Sequence, residues 1–280
     1  MANADYQGGT EPRREPRAAG RRIGAAARRR RLAEWLATPA GDRLLASERP
    51  ALQETVRRFH GDSLLWIGAT DDLVDTTAQC MVRARICAAH TTLDGSSGRE
   101  RARPGMADID LVVADTAELP FAGGSIDGIV LHHALDVVAD RRGTLREAAR
   151  VLRSGGRLVV VGFNPLSLWL FIKPLRAFRD LRPLSVPRLS EWLTVLGMTR
   201  EARTVYLNYR SALPMALHSD RWQTASAWVN RLQLPLGGAY ILAATKQGHG
   251  YVLERGNQRQ HSREIAAAVL GNATRQADCL

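Results

Sequence analysis

The segment Val112–Ser167 reads VVADTAELPFAGGSIDGIVLHHALDVVADRRGTLREAARVLRSGGRLVVVGFNPLS. Ile126 to Leu131 and Leu158 to Val161 are short apolar runs without alternation, as expected of strands covered on both faces. Between them, Leu145, Ala148, Ala149 and Leu152 share one face of a helix predicted over Asp140–Leu152 and closed by Ser154-Gly155-Gly156. Strand, helix and strand in such short order make a βαβ crossover, and that unit implies a parallel α/β sheet.

Upstream, Ile109 to Val113 is a third run of the same covered type and Leu64 to Ile67 a fourth strand. Residues 28–60 place Leu32, Trp35, Leu36, Leu44, Leu45, Leu52, Val56 and Phe59 at helical spacing, which predicts two N-terminal helices with a break at Pro39 to Gly41. Residues 1–27 are polar and Arg-rich and are expected to be a disordered tail. Downstream, residues 165–235 are less regular, with a basic, aromatic helix over Leu166 to Asp180 that suits a lid or, alternatively, a membrane surface. A helix over Val186 to Leu196 ends at Gly197, and Thr204 to Leu207 and Ala239 to Thr245 are the last strands. The main domain is therefore set at 61–246, and 247–280 is a polar tail with one weak helix around Glu264 to Leu270.

The net charge of +11 suggests nucleic acid until it is located. Residues 1–31 hold nine Arg against Asp5, Glu11 and Glu15, so more than half of the excess belongs to the tail. A solvated tail on a mildly basic domain is favoured over an RNA or anionic-membrane contact. Cys80, Cys87 and Cys279 have neither disulfide nor zinc spacing, which fits a reducing cytoplasm and no metal site. The most apolar segment, Leu158 to Ile172, is interrupted by Asn164, Pro165 and Ser167, so no transmembrane helix is expected.

Four landmarks follow in order: a strand ending at Asp115 with Ala117-Glu118-Leu119-Pro120-Phe121 after it, Ser125-Ile126-Asp127, the arginine-bearing helix Leu145 to Leu152, and Ser154-Gly155-Gly156-Arg157-Leu158. This ordered set resembles the central block of the class I S-adenosylmethionine-dependent methyltransferases, over residues 60–245. The resemblance implies a Rossmann-like α/β fold, a mostly parallel central sheet flanked by helices, with the two N-terminal helices and a helical lid added. It also implies S-adenosylmethionine as cofactor and a small-molecule or lipid-like methyl acceptor.

By the resemblance, Asp115 faces the adenine amino group, with Thr116 and Ala117 beside it and Leu131 and His132 along the cofactor. An ionised carboxylate at the carboxyl end of a strand suits that role because it only accepts hydrogen bonds, although the same residue can cap its own turn. Asp127 is expected to hold strand geometry. The family's glycine-rich loop aligns with Trp66-Ile67-Gly68-Ala69-Thr70-Asp71-Asp72, of which Gly68 alone is retained; Trp66 stands where an acid is expected and Thr70 and Asp72 replace glycines. Asp94 is the one available ribose ligand after the second strand. His132 and His133 follow the fourth strand directly, as candidates for a base that deprotonates the acceptor or as packing beside the cofactor. The altered loop leaves open a methyltransferase-like binding protein without catalysis, and the Arg-rich tail an RNA-directed one.

Overall fold

The computed structural model describes residues 24–89, 108–167, 178, 180–201, 204–207 and 237–248. The described residues up to Lys246 belong to one compact unit. The expected lid helix falls largely outside the described residues, as do the tail helix around Glu264 and Asp94.

The chain opens with α1 (Ala25–Leu36) and α2 (Pro39–Val56). The expected break at Pro39 to Gly41 lies earlier, at Ala37 and Thr38. Proline lacks only an N–H that the first helical turn leaves unused, so Pro39 starts α2, and the Thr38 hydroxyl accepts from the Gly41 amide at 3.3 Å. The strands are β1 (His60–Gly68), β2 (Met81–Ala89), β3 (Ile109–Val113), β4 (Ile126–His132), β5 (Leu152–Phe163), β6 (Met198–Arg200), β7 (Val205–Leu207) and β8 (Ala239–Lys246). Short α3 (Ala134–Val137) follows β4, α4 (Arg141–Val151) leads into β5, and α5 (Val186–Val195) precedes β6. Asp140 caps α4 by accepting from the Gly143 amide.

One sheet runs in the order β3-β2-β1-β4-β5-β8-β6, with β7 also on β8. β1 to β5 are parallel, and β8 enters antiparallel to β5. Side-chain alternation splits the core: Leu64, Trp66, Val130, Val159 and Val161 pack with α1 and α2, while Leu65, Ile67, Ile129, Leu131, Leu158 and Val160 pack with α4 and α5. This two-sided cover explains the unbroken apolar runs of β4 and β5. β3 departs from that expectation because it lies at the sheet's edge, with Leu111 37% and Val113 51% exposed. Between β1 and β2 the crossover holds only a single 3-10 segment, Val74–Gln79, so α1 and α2 supply the cover on that face. Asp127 ties the start of β1 to β4: its Oδ2 accepts the Asp62 and Ser63 amides at 2.7 and 2.8 Å, and it pairs with Arg153. No helix among the described residues is long and apolar enough to cross a membrane.

Candidate functional site

The strand order reverses between β1 and β4, and open α/β sheets bind ligands at such a point, outside the carboxyl ends of the strands. Here that point is Gly68 beside His132, joined by an Ala69 amide donating to the His132 carbonyl at 2.9 Å.

Both histidines are fully buried and share one carboxylate. Glu48 of α2 reaches across with Oε2 3.0 Å from His132 Nε2 and Oε1 3.0 Å from His133 Nε2, and Asp136 Oδ2 lies 2.9 Å from His133 Nδ1. The Phe163 amide also donates to Asp136. Burial alone would raise Glu48, but the charge on His133 and the hydrogen bonds from both rings overcome it and hold the carboxyl at about 2. His133 is opposed by burial yet lifted to about 9 by Glu48 and Asp136, so it is an imidazolium donating from both nitrogens. Burial lowers His132, which stays neutral; donation to ionised Glu48 fixes its proton on Nε2. Burial pushes Asp136 up against the pull of His133.

The backbone supports this clamp at a cost. His133 is left-handed, with φ 51°, the single non-glycine residue so placed among those described. Such a conformation costs roughly 1–2 kcal/mol for a side chain with a Cβ. Its amide donates to the Val161 carbonyl at 2.9 Å, and its ring stacks on Phe163 with centroids 4.1 Å apart.

Two buried polar atoms at the same strand ends have no partner: His132 Nδ1 and the Thr70 hydroxyl. Trp66, standing where an acid was expected, donates its indole N–H to the Thr70 carbonyl at 3.3 Å and packs against the His132 ring. A Cβ on Gly68 would lie 2.2 Å from that carbonyl, so the tight turn requires glycine.

At the end of β3, Asp115 is exposed. Its Oδ1 accepts the Ala117 amide at 2.9 Å, and its carbonyl accepts from Glu118, so it closes its own turn while its other oxygen remains available. The Thr116 hydroxyl faces that of Thr144, 3.2 Å away, and the Leu131 side chain lies in the core. Glu147 and Arg150 of α4 hold the Leu119 amide and the Leu119 and Phe121 carbonyls, which fixes the Leu-Pro-Phe turn beside Asp115.

Glu48 escaped the sequence reading. Its signal is positional: Gly41, Leu44, Leu45, Leu52 and Val56 make the buried stripe of α2, and residue 48 sits within it. One ligating atom each from Glu48, His132 and His133 lie within 4.8 Å, a spacing a divalent ion would accept, but these side chains already satisfy one another by hydrogen bonds.

A methyltransferase-domain family model matches residues 76–160, the block that holds β2 to β5, Asp115 and both histidines. The block that matches is thus a methyltransferase domain, set in a Rossmann-like α/β fold. The uncharacterised protein YafS of Escherichia coli (strain K12) is 31% identical over 171 residues, covering 59% of this chain and 66% of YafS. A demethylmenaquinone methyltransferase of Paenarthrobacter aurescens is 27% identical over 144 residues, covering 51% of this chain and 53% of the relative. The methyltransferase homology thus spans less than two thirds of these curated relatives' own length. Among solved structures, the complex of the Haloferax volcanii Trm112 methyltransferase activator contains a chain matched at TM-score 0.54 and 17% identity, over 78% of this chain and 98% of that one. A methyltransferase structure from Thermotoga maritima matches at TM-score 0.54 and 15% identity, over 78% and 97%. At these identities the structural matches show the fold.

Proposed function

We propose that the chain is an S-adenosylmethionine-dependent methyltransferase for a small-molecule or lipid-like acceptor. The observation that carries this reading is the pair of unpartnered buried polar atoms, Thr70 Oγ1 and His132 Nδ1, at the switch point of a methyltransferase sheet. A buried polar atom without a partner costs roughly 1–3 kcal/mol, so a polar ligand that bonds these two atoms gains by supplying one. On this reading the acidic turn at Asp115 would take the adenine end of the cofactor and the glycine-dependent turn at Gly68 would lie along it. The acceptor class is supported by the demethylmenaquinone methyltransferase relative.

When bound, the cofactor supplies an electrophilic methyl group on a sulfonium. The free oxygen of Asp115 would accept from the adenine amino group, and the Gly68 turn would allow close backbone approach. His133 is occupied on both nitrogens and already protonated, so it positions and does not act as base. His132 keeps a lone pair on Nδ1 and can take a proton from an acceptor hydroxyl or amine, with Glu48 holding its other nitrogen.

Calorimetric titration with S-adenosylmethionine and S-adenosylhomocysteine tests the reading. Wild type is expected to bind, and Asp115→Ala to weaken binding by roughly tenfold to a hundredfold while melting normally, as loss of a charged hydrogen bond predicts. A folded wild type that binds neither compound would transfer the chain to the non-catalytic binding proteins. Equal affinity in Asp115→Ala would remove that residue from the site.

A further inference from the structure

Away from the buried histidines, three guanidinium groups converge on one indole and a fourth arginine lines the same cavity. Arg141 and Arg142 open α4, Arg182 lies in the segment before α5, and Arg188 and Trp192 are one turn apart on α5. Their guanidinium carbons stand 6.0, 4.9 and 5.8 Å from the Trp192 ring centre for Arg141, Arg142 and Arg188. Together with Arg182 and Asp140 they line a cavity of about 280 Å³.

This arrangement is unfavourable as it stands. A helix N-terminus carries partial positive charge and prefers acids, yet the first turn of α4 has none and begins with two arginines. None of the four forms an ion pair among the described residues. Asp140, the acid in the lining, spends Oδ1 on the Gly143 amide. Burial and the neighbouring Arg182 hold the Arg141 guanidinium below its usual range. Geometry nevertheless keeps the cluster together: Arg141 Nη1 donates to the Arg182 carbonyl at 2.9 Å, and the Arg182 amide donates to the Asp136 carbonyl at 3.1 Å.

We propose that Arg141, Arg142, Arg182 and Arg188 around Trp192 form a binding site for a phosphate or diphosphate group. Guanidinium groups stacked on an aromatic face keep their in-plane N–H donors free, and those donors match phosphoryl oxygens in pairs. Four positive charges against Asp140 in the lining and Asp136 behind Arg141 leave a net positive site, which suits a phosphoryl group. The cavity lies just below the roughly 300–1,000 Å³ of sites that enclose a whole ligand, so it takes an anionic group and leaves the remainder outside. Asp136 connects this site to the histidines, since its carbonyl holds Arg182 and its carboxylate holds His133. On the methyltransferase reading, on which this last step rests, the phosphate belongs to the acceptor.

The test needs no cofactor. The full chain is titrated with inorganic pyrophosphate and phosphate at fixed ionic strength, with acetate as control, by calorimetry and by Trp fluorescence against Trp192→Phe. Saturable binding of the phosphates, with acetate much weaker, is expected, and it weakens about tenfold or more in Arg142→Gln/Arg188→Gln. Flotation with phosphatidylcholine vesicles, with and without phosphatidate, separates a lipid headgroup from a soluble phosphate: retention that requires phosphatidate and the two arginines assigns the lipid, and its absence beside pyrophosphate binding assigns a soluble ligand. No saturable pyrophosphate binding, or binding unchanged in the double variant, overturns the site. Pyrophosphate binding without S-adenosylmethionine binding would keep the site and sink the methyltransferase reading alone.

Discussion

Replacing Glu48 by Gln removes the charge that holds α2 to the end of β4 while keeping the shape of the side chain. The interval between 6.5, the usual His value, and about 9 in the folded chain corresponds to about 3 kcal/mol. Glu48, held near 2 against 4.5, gives a similar figure, but it is the same interaction seen from its partner and counts once. Because the folded chain binds the His133 proton more tightly, this stabilisation is fully present below pH 6.5 and is lost as pH rises through about 9. The Glu48 side runs the other way, present above 4.5 and lost as pH falls through about 2. His132, kept neutral by burial, subtracts stability as pH falls below 6.5. Asp136 keeps part of the hold on His133, so urea unfolding, followed by Trp fluorescence, should show Glu48→Gln losing about 1–3 kcal/mol at pH 6.5 and less than about 1 kcal/mol at pH 9. A loss below about 1 kcal/mol at pH 6.5, or an equal loss at both values, would refute the charged clamp.

Other perturbations probe the supports around the site. Asp127→Ala strips two amide hydrogen bonds from the start of β1 and an ion pair with Arg153 of β5 and should cost about 3 kcal/mol, read as a Tm fall of several degrees; an unchanged Tm would show that the strands set that geometry unaided. Lys246→Met leaves the Ala149 and Leu152 carbonyls without the ammonium that bonds them at 2.7 and 2.6 Å, a loss of about 1–3 kcal/mol in urea unfolding. Gly68→Ala forces a Cβ against the Thr70 carbonyl and should displace the loop, costing about 1–3 kcal/mol and weakening cofactor binding in calorimetry; wild-type values in both would show that the turn has room.

The parallel core of the fold is legible in sequence because β4, α4 and β5 each carry a local pattern that agrees with its neighbours. β2 is much less legible: Arg83 and Arg85 interrupt its apolar run, and its pairing with β1 and β3 decides it. β6, only Met198–Arg200, exists through pairing with β8 and has too few residues to announce itself. At the site, His132 and His133 were visible from their place after a strand, but their unequal chemistry was not. It depends on Glu48, more than eighty residues earlier, arriving from another layer. A charge inside an apolar stripe is the trace such a partner leaves. The arginine cluster was equally hidden, since a chain so rich in Arg gives no local reason to single out four.

The position of β8 has a consequence for how the chain is made. It is the last strand among the described residues, yet it lies inside the sheet, between β5 and β6 and beside β7. Until residues 239–246 leave the ribosome, β5 presents an open edge, and the short β6 and β7 have no strand on which to pair. Synthesis can assemble the β1-to-β5 half early, but the sheet closes only when its final strand is inserted, and a nascent chain stalled before Ala239 exposes a sticky margin of apolar backbone.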